Sequence, residues 1–152
     1  MAAFRFRLAA VLRYRSRLSE EKQEQLQALE RAKEQVGEEI QRQEQMIIQQ
    51  AKDMEEQRGK IVSALDLRLQ GDFSQHASQR IREQSKLLAI VQSRIEEKRQ
   101  EVAQADQEVK SLERLRARLS ERHQQEENSE EQKALDEIGQ RQYYEKRRTQ
   151  GW

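Results

Sequence analysis

The sequence contains no proline and no cysteine, and only 5 of its 152 residues are glycine. Because proline is the strongest helix breaker, nothing forces a helix to stop. The absence of cysteine excludes a disulfide framework and thiolate metal ligands. No apolar run approaches the roughly 18 residues of a membrane span, and the start lacks the apolar core of a signal peptide. We therefore expect a cytoplasmic protein.

Apolar and aromatic residues are also scarce, at 34% and 5% of the chain. A globular domain has about 45–50% apolar residues, so a thick hydrophobic core is excluded. Good helix formers dominate instead, chiefly Ala, Glu, Lys, Leu, Arg and Gln, with a net charge of only +1. This composition favours a long helix or coiled coil over a disordered chain, which would usually be rich in proline, low in Leu and Ile, or far from neutral in net charge.

Apolar residues recur every seven positions in both halves of the chain. The first series is Ile40, Ile47, Met54 and Ile61, and the second is Ile81, Leu88, Ile95, Val102 and Val109. Gln43, Gln50 and Gln57 occupy the companion position of the first series, so that side of the seam is partly polar. The companion position of the second series holds Val91, Ala105, Leu112 and Leu119, with Lys98 as the exception. This spacing predicts two helices that wind around each other with a left-handed supercoil.

The predicted turn lies between the two series, at residues 70–74. Gly71 can adopt the left-handed conformation that ends a helix, and Asp72 or Ser74 can cap the next one. If the chain folds back there, residues that meet have position numbers with a constant sum. For Ile47 and Ile95, the sum of the position numbers is 142. The same sum holds for Ile40 with Val102, Met54 with Leu88, and Ile61 with Ile81.

These patterns predict an all-α fold, a long antiparallel two-helix coiled-coil hairpin. We expect helix 1 over about residues 5–68, a turn over about 69–74 and helix 2 over about 75–142. A frayed basic tail should follow over residues 143–152. The partly polar seam predicts a monomer or weak self-association.

No group of residues predicts catalysis. His76 and His123 are isolated, no carboxylate–histidine spacing suggests a metal site, and no phosphate loop or nucleophile motif is present. We therefore expect no enzymatic activity, no metal or other cofactor, and no small-molecule substrate.

Positive charge is concentrated at the chain ends. Residues 1–18 contain five arginines and no acid, and residues 141–152 contain four basic residues and one acid. A hairpin would place these two basic ends together. Their charge either keeps the protein soluble or binds an acidic partner. Nucleic-acid binding is disfavoured, because few aromatic residues alternate with the arginines and the net charge is nearly neutral.

An apolar stripe also opens the chain. It comprises Phe4, Phe6, Leu8, Val11, Leu12 and Tyr14. A chain end with this much apolar surface is usually covered. The cover is either Leu135 and Ile138 of the returning tail or a partner protein.

The two ends carry more specific motifs. Residues 4–15 read Phe-Arg-Phe-Arg-Leu-Ala-Ala-Val-Leu-Arg-Tyr-Arg, and Ser-Glu-Glu-Lys follows at 19–22. Near the other end, Leu-Glu-Arg-Leu occupies 112–115 and Glu-Glu-Gln-Lys-Ala-Leu-Asp-Glu occupies 130–137. These stretches resemble the bacterial flagellar export protein FliJ family. The sequence departs from that family at His123, where an aromatic residue is common.

The resemblance implies an antiparallel hairpin, similar to the central stalk of rotary ATP synthases, that hydrolyses nothing itself. It implies three partners: the hexameric flagellar export ATPase, whose assembly and activity the family promotes, the membrane export gate, and export chaperones. The location would be peripheral to the inner membrane at the flagellar base. Carried onto this sequence, the ATPase contact comprises Phe4, Phe6, Leu8, Leu12, Arg13, Tyr14, Arg15, Gln132, Lys133, Leu135 and Asp136.

Two alternatives stay open. One is the equivalent stalk of a virulence-type III secretion system, although the Phe-x-Phe-x-Leu opening favours the flagellar version. The other is an unrelated scaffold that dimerises through an intermolecular coiled coil, which the constant position sum disfavours.

Overall fold

A computed structural model describes residues 2–57 and 63–150. It contains two α-helices, α1 over Ala9–Glu56 and α2 over Ala64–Gln150, and the described residues include no β-strand. The helices pack against each other in opposite directions, which confirms the predicted all-α two-helix hairpin.

The chain divides into two compact units. One comprises residues 18–105, and the other combines residues 1–17 with residues 106–152. Both units draw on both helices, since α1 and α2 each cross a boundary between them.

The predicted seam of α2 is confirmed in the unit of residues 18–105. Val91 and Ile95 are buried, and Ile81, Leu88 and Val102 are half-buried. Ile95 is only 4% exposed, although a single partner helix covers it. Burial of this α2 stripe is the main apolar contribution to the stability of the unit.

The predicted turn is wrong. Residues 69–74 lie inside α2, which begins at Ala64. Gly71 is helical, without the positive φ of a helix-ending glycine, and a Cβ placed on it would meet nothing within 4 Å. A single glycine costs a helix only about 1 kcal/mol, and the neighbouring seam contacts offset this cost.

The start of α2 is set by Ser63. Its Oγ accepts a hydrogen bond from the backbone N–H of Asp66 at 3.1 Å, which satisfies one of the unpaired donors of the first helical turn. The Ser-x-x-Asp pattern at this point is a capping-box type of signal for the start of a helix, and it lies outside the predicted turn.

The predicted register is wrong for the same reason. In the unit of residues 18–105, Lys22 pairs with Glu101, and Gln25 pairs with Lys98. Each pair of position numbers adds to 123, whereas the pairing of Ile47 with Ile95 required 142. Any two series with a seven-residue repeat give a constant sum when they run in opposite directions, so the test could not distinguish one register from another. The proposed pairing of Ile61 falls outside the described residues.

The helix ends also differ from the prediction. Helix α1 begins at Ala9 rather than near residue 5, and it ends at Glu56 rather than near residue 68. Helix α2 continues to Gln150, so residues 143–150 are helical and not frayed.

Candidate protein-binding site

The N-terminal segment, residues 2–8, precedes α1 and lies against α2. The ring of Phe4 is 5.8 Å from that of His123, centroid to centroid, at an angle of 42°. Helix α1 then begins where the N–H of Ala9 bonds to the carbonyl of Phe6 at 3.1 Å. The segment and α2 border a groove of about 620 Å³. The groove is lined by residues 3–8 together with Leu119, Arg122, His123 and Glu126.

The lining of this groove shows which residues cover the apolar stripe. Phe4 and Phe6 are half-buried against the part of α2 around Leu119, not against the end of the tail. Leu135 and Ile138 are 62% and 52% exposed, so the expected packing of the stripe on them is wrong. A register sum of 142 would have placed Phe4 beside Ile138, which explains the error.

The exposed part of the stripe lies on the first turns of α1. Leu12 is half-buried, whereas Leu8, Val11 and Tyr14 are exposed. Exposed apolar and aromatic side chains beside a groove are typical of a surface that another protein covers.

Arg13 and Arg15 have different surroundings. The guanidinium of Arg15 forms a 2.8 Å ion pair with Glu108 of α2, and both side chains are a little over one third exposed. Its Cζ is 5.9 Å from the centre of the Tyr14 ring. Arg13 is exposed, and no salt bridge joins it to any residue of the described ranges. Arg15 therefore helps to hold the helices together, while Arg13 is available to a partner.

A second set of arginines, in α2, was not predicted from the sequence. Arg114, Arg116, Arg118 and Arg122 of α2 belong to the same unit as the N-terminal arginines, and Arg122 lines the groove with Arg5 and Arg7. The sequence does contain these four arginines within nine residues. Only the observed register, however, places them near the N-terminal arginines. Together they give this part of the unit a positive surface.

His123 also has defined contacts. Besides stacking near Phe4, its Nε2 lies 3.1 Å from Oε1 of Glu127, one helical turn further on. The position where the sequence departs from the FliJ pattern therefore holds a ring that packs against an aromatic residue.

The second predicted group, in α2, does not join the groove. Gln132, Lys133, Leu135 and Asp136 are all exposed, and Gln132 donates a 3.2 Å hydrogen bond to Asp136. At 1.5 Å per residue, Gln132 lies about 9 Å along α2 beyond Glu126, the last groove residue. The structure therefore divides the predicted contact residues between two surfaces of one unit.

The basic C-terminal residues lie still further away. Arg141 is fifteen residues beyond Glu126, or about 22 Å along the helix. The expected meeting of the two basic chain ends is therefore wrong, because α2 extends well past the groove.

Two glutamates of the other unit have shifted acidities. Lys98 and Lys22 donate hydrogen bonds to Glu101 and hold its pKa below the ordinary value of 4.5. A hydrogen bond from Gln43, with the charges of Arg42 and Arg80, likewise lowers the pKa of Glu39. Both carboxylates lie on ion pairs between the helices, so the shifts reflect pairing rather than a catalytic environment.

Across residues 2–57 and 63–150, no three His, Cys, Asp or Glu side chains are grouped so that they could bind a metal ion. Neither helix, over the residues described, contains a stretch long and apolar enough to cross a lipid bilayer.

Two antiparallel helices, with a groove and a long exposed helical end in one unit, define a coiled-coil hairpin protein with surfaces for protein partners. The family model described as Flagellar FliJ protein matches residues 4–148. The chain therefore belongs to the FliJ family, a family of non-catalytic accessory proteins related to flagellar type III export. No curated protein and no solved structure gives a significant match.

Proposed function

We propose that this protein is the stalk of the flagellar type III export apparatus. In this role it binds the hexameric export ATPase, promotes ring assembly and ATP hydrolysis, and connects the ring to the membrane export gate and to export chaperones. It acts in the cytoplasm, peripherally associated with the inner membrane. The family match over residues 4–148 is the observation that carries the proposal.

The exposed surfaces of the unit that contains both chain ends support an ATPase contact. Arg13 and Tyr14 are exposed on the first turns of α1, next to the groove, and Leu135 is exposed on α2. An arginine and an aromatic side chain side by side are typical of residues that dominate the binding energy of an interface.

A single stalk can also explain stimulation of a ring without any catalytic group. One hairpin can contact only some of six equivalent subunits at a time. Contacts that favour one nucleotide state of a subunit shift its cycle by the difference in affinity between the two states. The stalk therefore needs a firm contact surface and no active site of its own.

Charge reversal at Arg13 tests the ATPase contact better than charge reversal at Arg15. Arg15→Glu would place two carboxylates together, because Glu108 lies 2.8 Å from the Arg15 guanidinium, and it would weaken the fold as well as any partner contact. Arg13→Glu changes an exposed charge only. Arg31→Glu, also at an exposed position of α1, is the matched control for the same change in charge.

The experiment measures ATP hydrolysis by the export ATPase of the same organism, alone and with equimolar wild-type, Arg13→Glu or Arg31→Glu protein. We expect the wild type and Arg31→Glu to stimulate hydrolysis and ring formation. Arg13→Glu should lose most of the stimulation with unchanged helix content by circular dichroism. Absence of stimulation and of co-elution by the wild type would contradict the stalk function, and equal stimulation by both variants would remove Arg13 from the contact.

A further inference from the structure

Among residues 2–57 and 63–150, no helix packs against the C-terminal part of α2. We call residues 128–150 the C-terminal extension. Every residue of it is exposed, including Leu135, Ile138, Tyr143 and Tyr144. In proteins, most helical stability comes from packing of one face against a neighbour rather than from helix propensity. A second helix would therefore stabilise the extension.

The charges of the extension identify what kind of helix fits. Residues 128–140 contain four acidic residues and one lysine, whereas residues 141–150 contain four basic residues and one glutamate. The first half therefore carries as much net negative charge as the second half carries net positive charge. A helix with this pattern is complementary to an antiparallel copy of itself, because each acidic half then faces a basic half.

The complementarity extends to individual positions. Glu130, Glu137, Arg141 and Arg148 are separated by steps of seven, four and seven, so they share one face of the helix. In an antiparallel pair, Glu130 would lie opposite Arg148 of the second copy, and Glu137 opposite Arg141. Both pairs of position numbers add to 278, so a single register satisfies them, and two-fold symmetry repeats each pair.

The centre of this register is Gly139. Gly139 is two residues from both Glu137 and Arg141, so it lies on the opposite side of the helix from the charged face and marks only the midpoint of the register. Ala134 is four residues after Glu130, and Ile138 is three residues before Arg141. These apolar residues border the charged face, as seam residues border the flanking charges of a coiled coil.

We propose that the C-terminal extension is a self-association surface, on which the extensions of two copies of this chain pair in antiparallel orientation about Gly139. Few apolar side chains are buried and much of the attraction is electrostatic, so the dimer is weak and depends on protein concentration and salt.

One consequence rests on the proposed function. Lys133 lies beside the paired face, three residues after Glu130 and four before Glu137, so a second copy would cover this one of the residues proposed to contact the ATPase. The ring and the second copy would then compete for Lys133. The pairing itself does not depend on that function and is measured without the ATPase.

The test uses charge reversals in the full-length chain. Variant A, Glu130→Lys with Glu137→Lys, makes the shared face wholly basic. Variant B, Arg141→Glu with Arg148→Glu, makes it wholly acidic. The control, Lys146→Glu with Arg147→Glu, changes the net charge as much as variant B but away from the shared face of the helix.

The readout is the mass by sedimentation equilibrium at low salt, with helix content monitored by circular dichroism. We expect the wild type and the control to rise with concentration from 18.2 kDa towards twice that mass. Variants A and B should each stay monomeric, and an equimolar mixture of them should regain the dimer. Recovery in the mixture would show that loss in the single variants is not unfolding. A monomeric wild type at every concentration, or a mixture no more dimeric than its components, would overturn the proposal.

Discussion

Lys98 donates a hydrogen bond to Gln25 on the opposite helix, with 2.9 Å between Nζ and Oε1. One turn further along α2, Glu101 accepts a hydrogen bond from Lys22 at 3.2 Å. These two contacts fix the register of the helices in the unit of residues 18–105, and an ion pair between Arg80 and Glu39 at 3.4 Å agrees with it approximately.

The register can be tested by cross-linking, because the chain has no cysteine. We expect the variant with Glu39→Cys and Arg80→Cys to be linked rapidly by a short bismaleimide. The pair Glu39→Cys and Ala103→Cys should not be linked, because residue 103 lies 23 residues, or about 34 Å, further along α2 than residue 80. Intramolecular products are identified by mass spectrometry at low protein concentration. Preferential linking of residues 39 and 103 would instead support a turn near residue 71.

Gly71→Ala should stabilise the protein. The helical backbone at residue 71 accepts alanine, and a Cβ there has open space. Alanine is favoured over glycine by about 0.5–1 kcal/mol in a helix interior. Thermal unfolding followed by circular dichroism measures the effect. A lower midpoint than that of the wild type would show that residue 71 needs the left-handed conformation of a turn.

Ser63→Ala should destabilise the protein by about 1 kcal/mol, because it removes the oxygen that caps α2 at Asp66. Ser93→Ala, at an exposed position within α2, is the control and should change stability little. Urea unfolding of both variants provides the comparison. Equal midpoints for the two variants would show that the Ser63 hydroxyl contributes no cap.

Ile95→Ala should cost about 2–4 kcal/mol, because it removes three methyl or methylene groups from the most deeply buried apolar side chain of the seam. Ile90→Ala makes the same chemical change at a position that is 52% exposed, and it should cost much less. The comparison of the two unfolding free energies isolates burial from helix propensity. Equal losses would contradict the placement of Ile95 in the seam.

The sequence predicted the seam better than the register, for a physical reason. Periodicity states which face of each helix is apolar, and Val91 and Ile95 are buried on that face. The relative position of two repeating faces depends on where the chain turns. Gly71 has the conformational freedom that a turn needs, but a lone glycine among strong helix formers does not end a helix. The cap at Ser63 carried the more specific signal.

The sequence predicted several residues of the candidate site but not how they are arranged. Phe4 and Phe6 do pack on α2, yet their neighbours Leu119 and His123 follow only from the true register. The structural role of Arg15 could not be predicted from the sequence either, because its ion pair with Glu108 joins residues that are 93 positions apart. Local motifs identified the family, whereas the geometry of the groove required the pairing of distant segments.

The contact of Glu101 with its two lysines should make stability depend on pH. Lys98, chiefly, and Lys22 stabilise the carboxylate and lower its pKa below 4.5 in the folded protein. A lowered folded-state pKa adds stability above the unfolded-state value, and this contribution is lost as the pH falls through the folded-state pKa. Glu101→Gln should therefore lower the melting midpoint slightly at pH 7, because the pair is exposed, and the difference should be smaller at an acidic pH below 4.5. Melting curves of both proteins at the two pH values measure this, with Glu96→Gln at an exposed position as the control. A difference that is the same at both pH values would show that the amide, and not the loss of charge, is responsible.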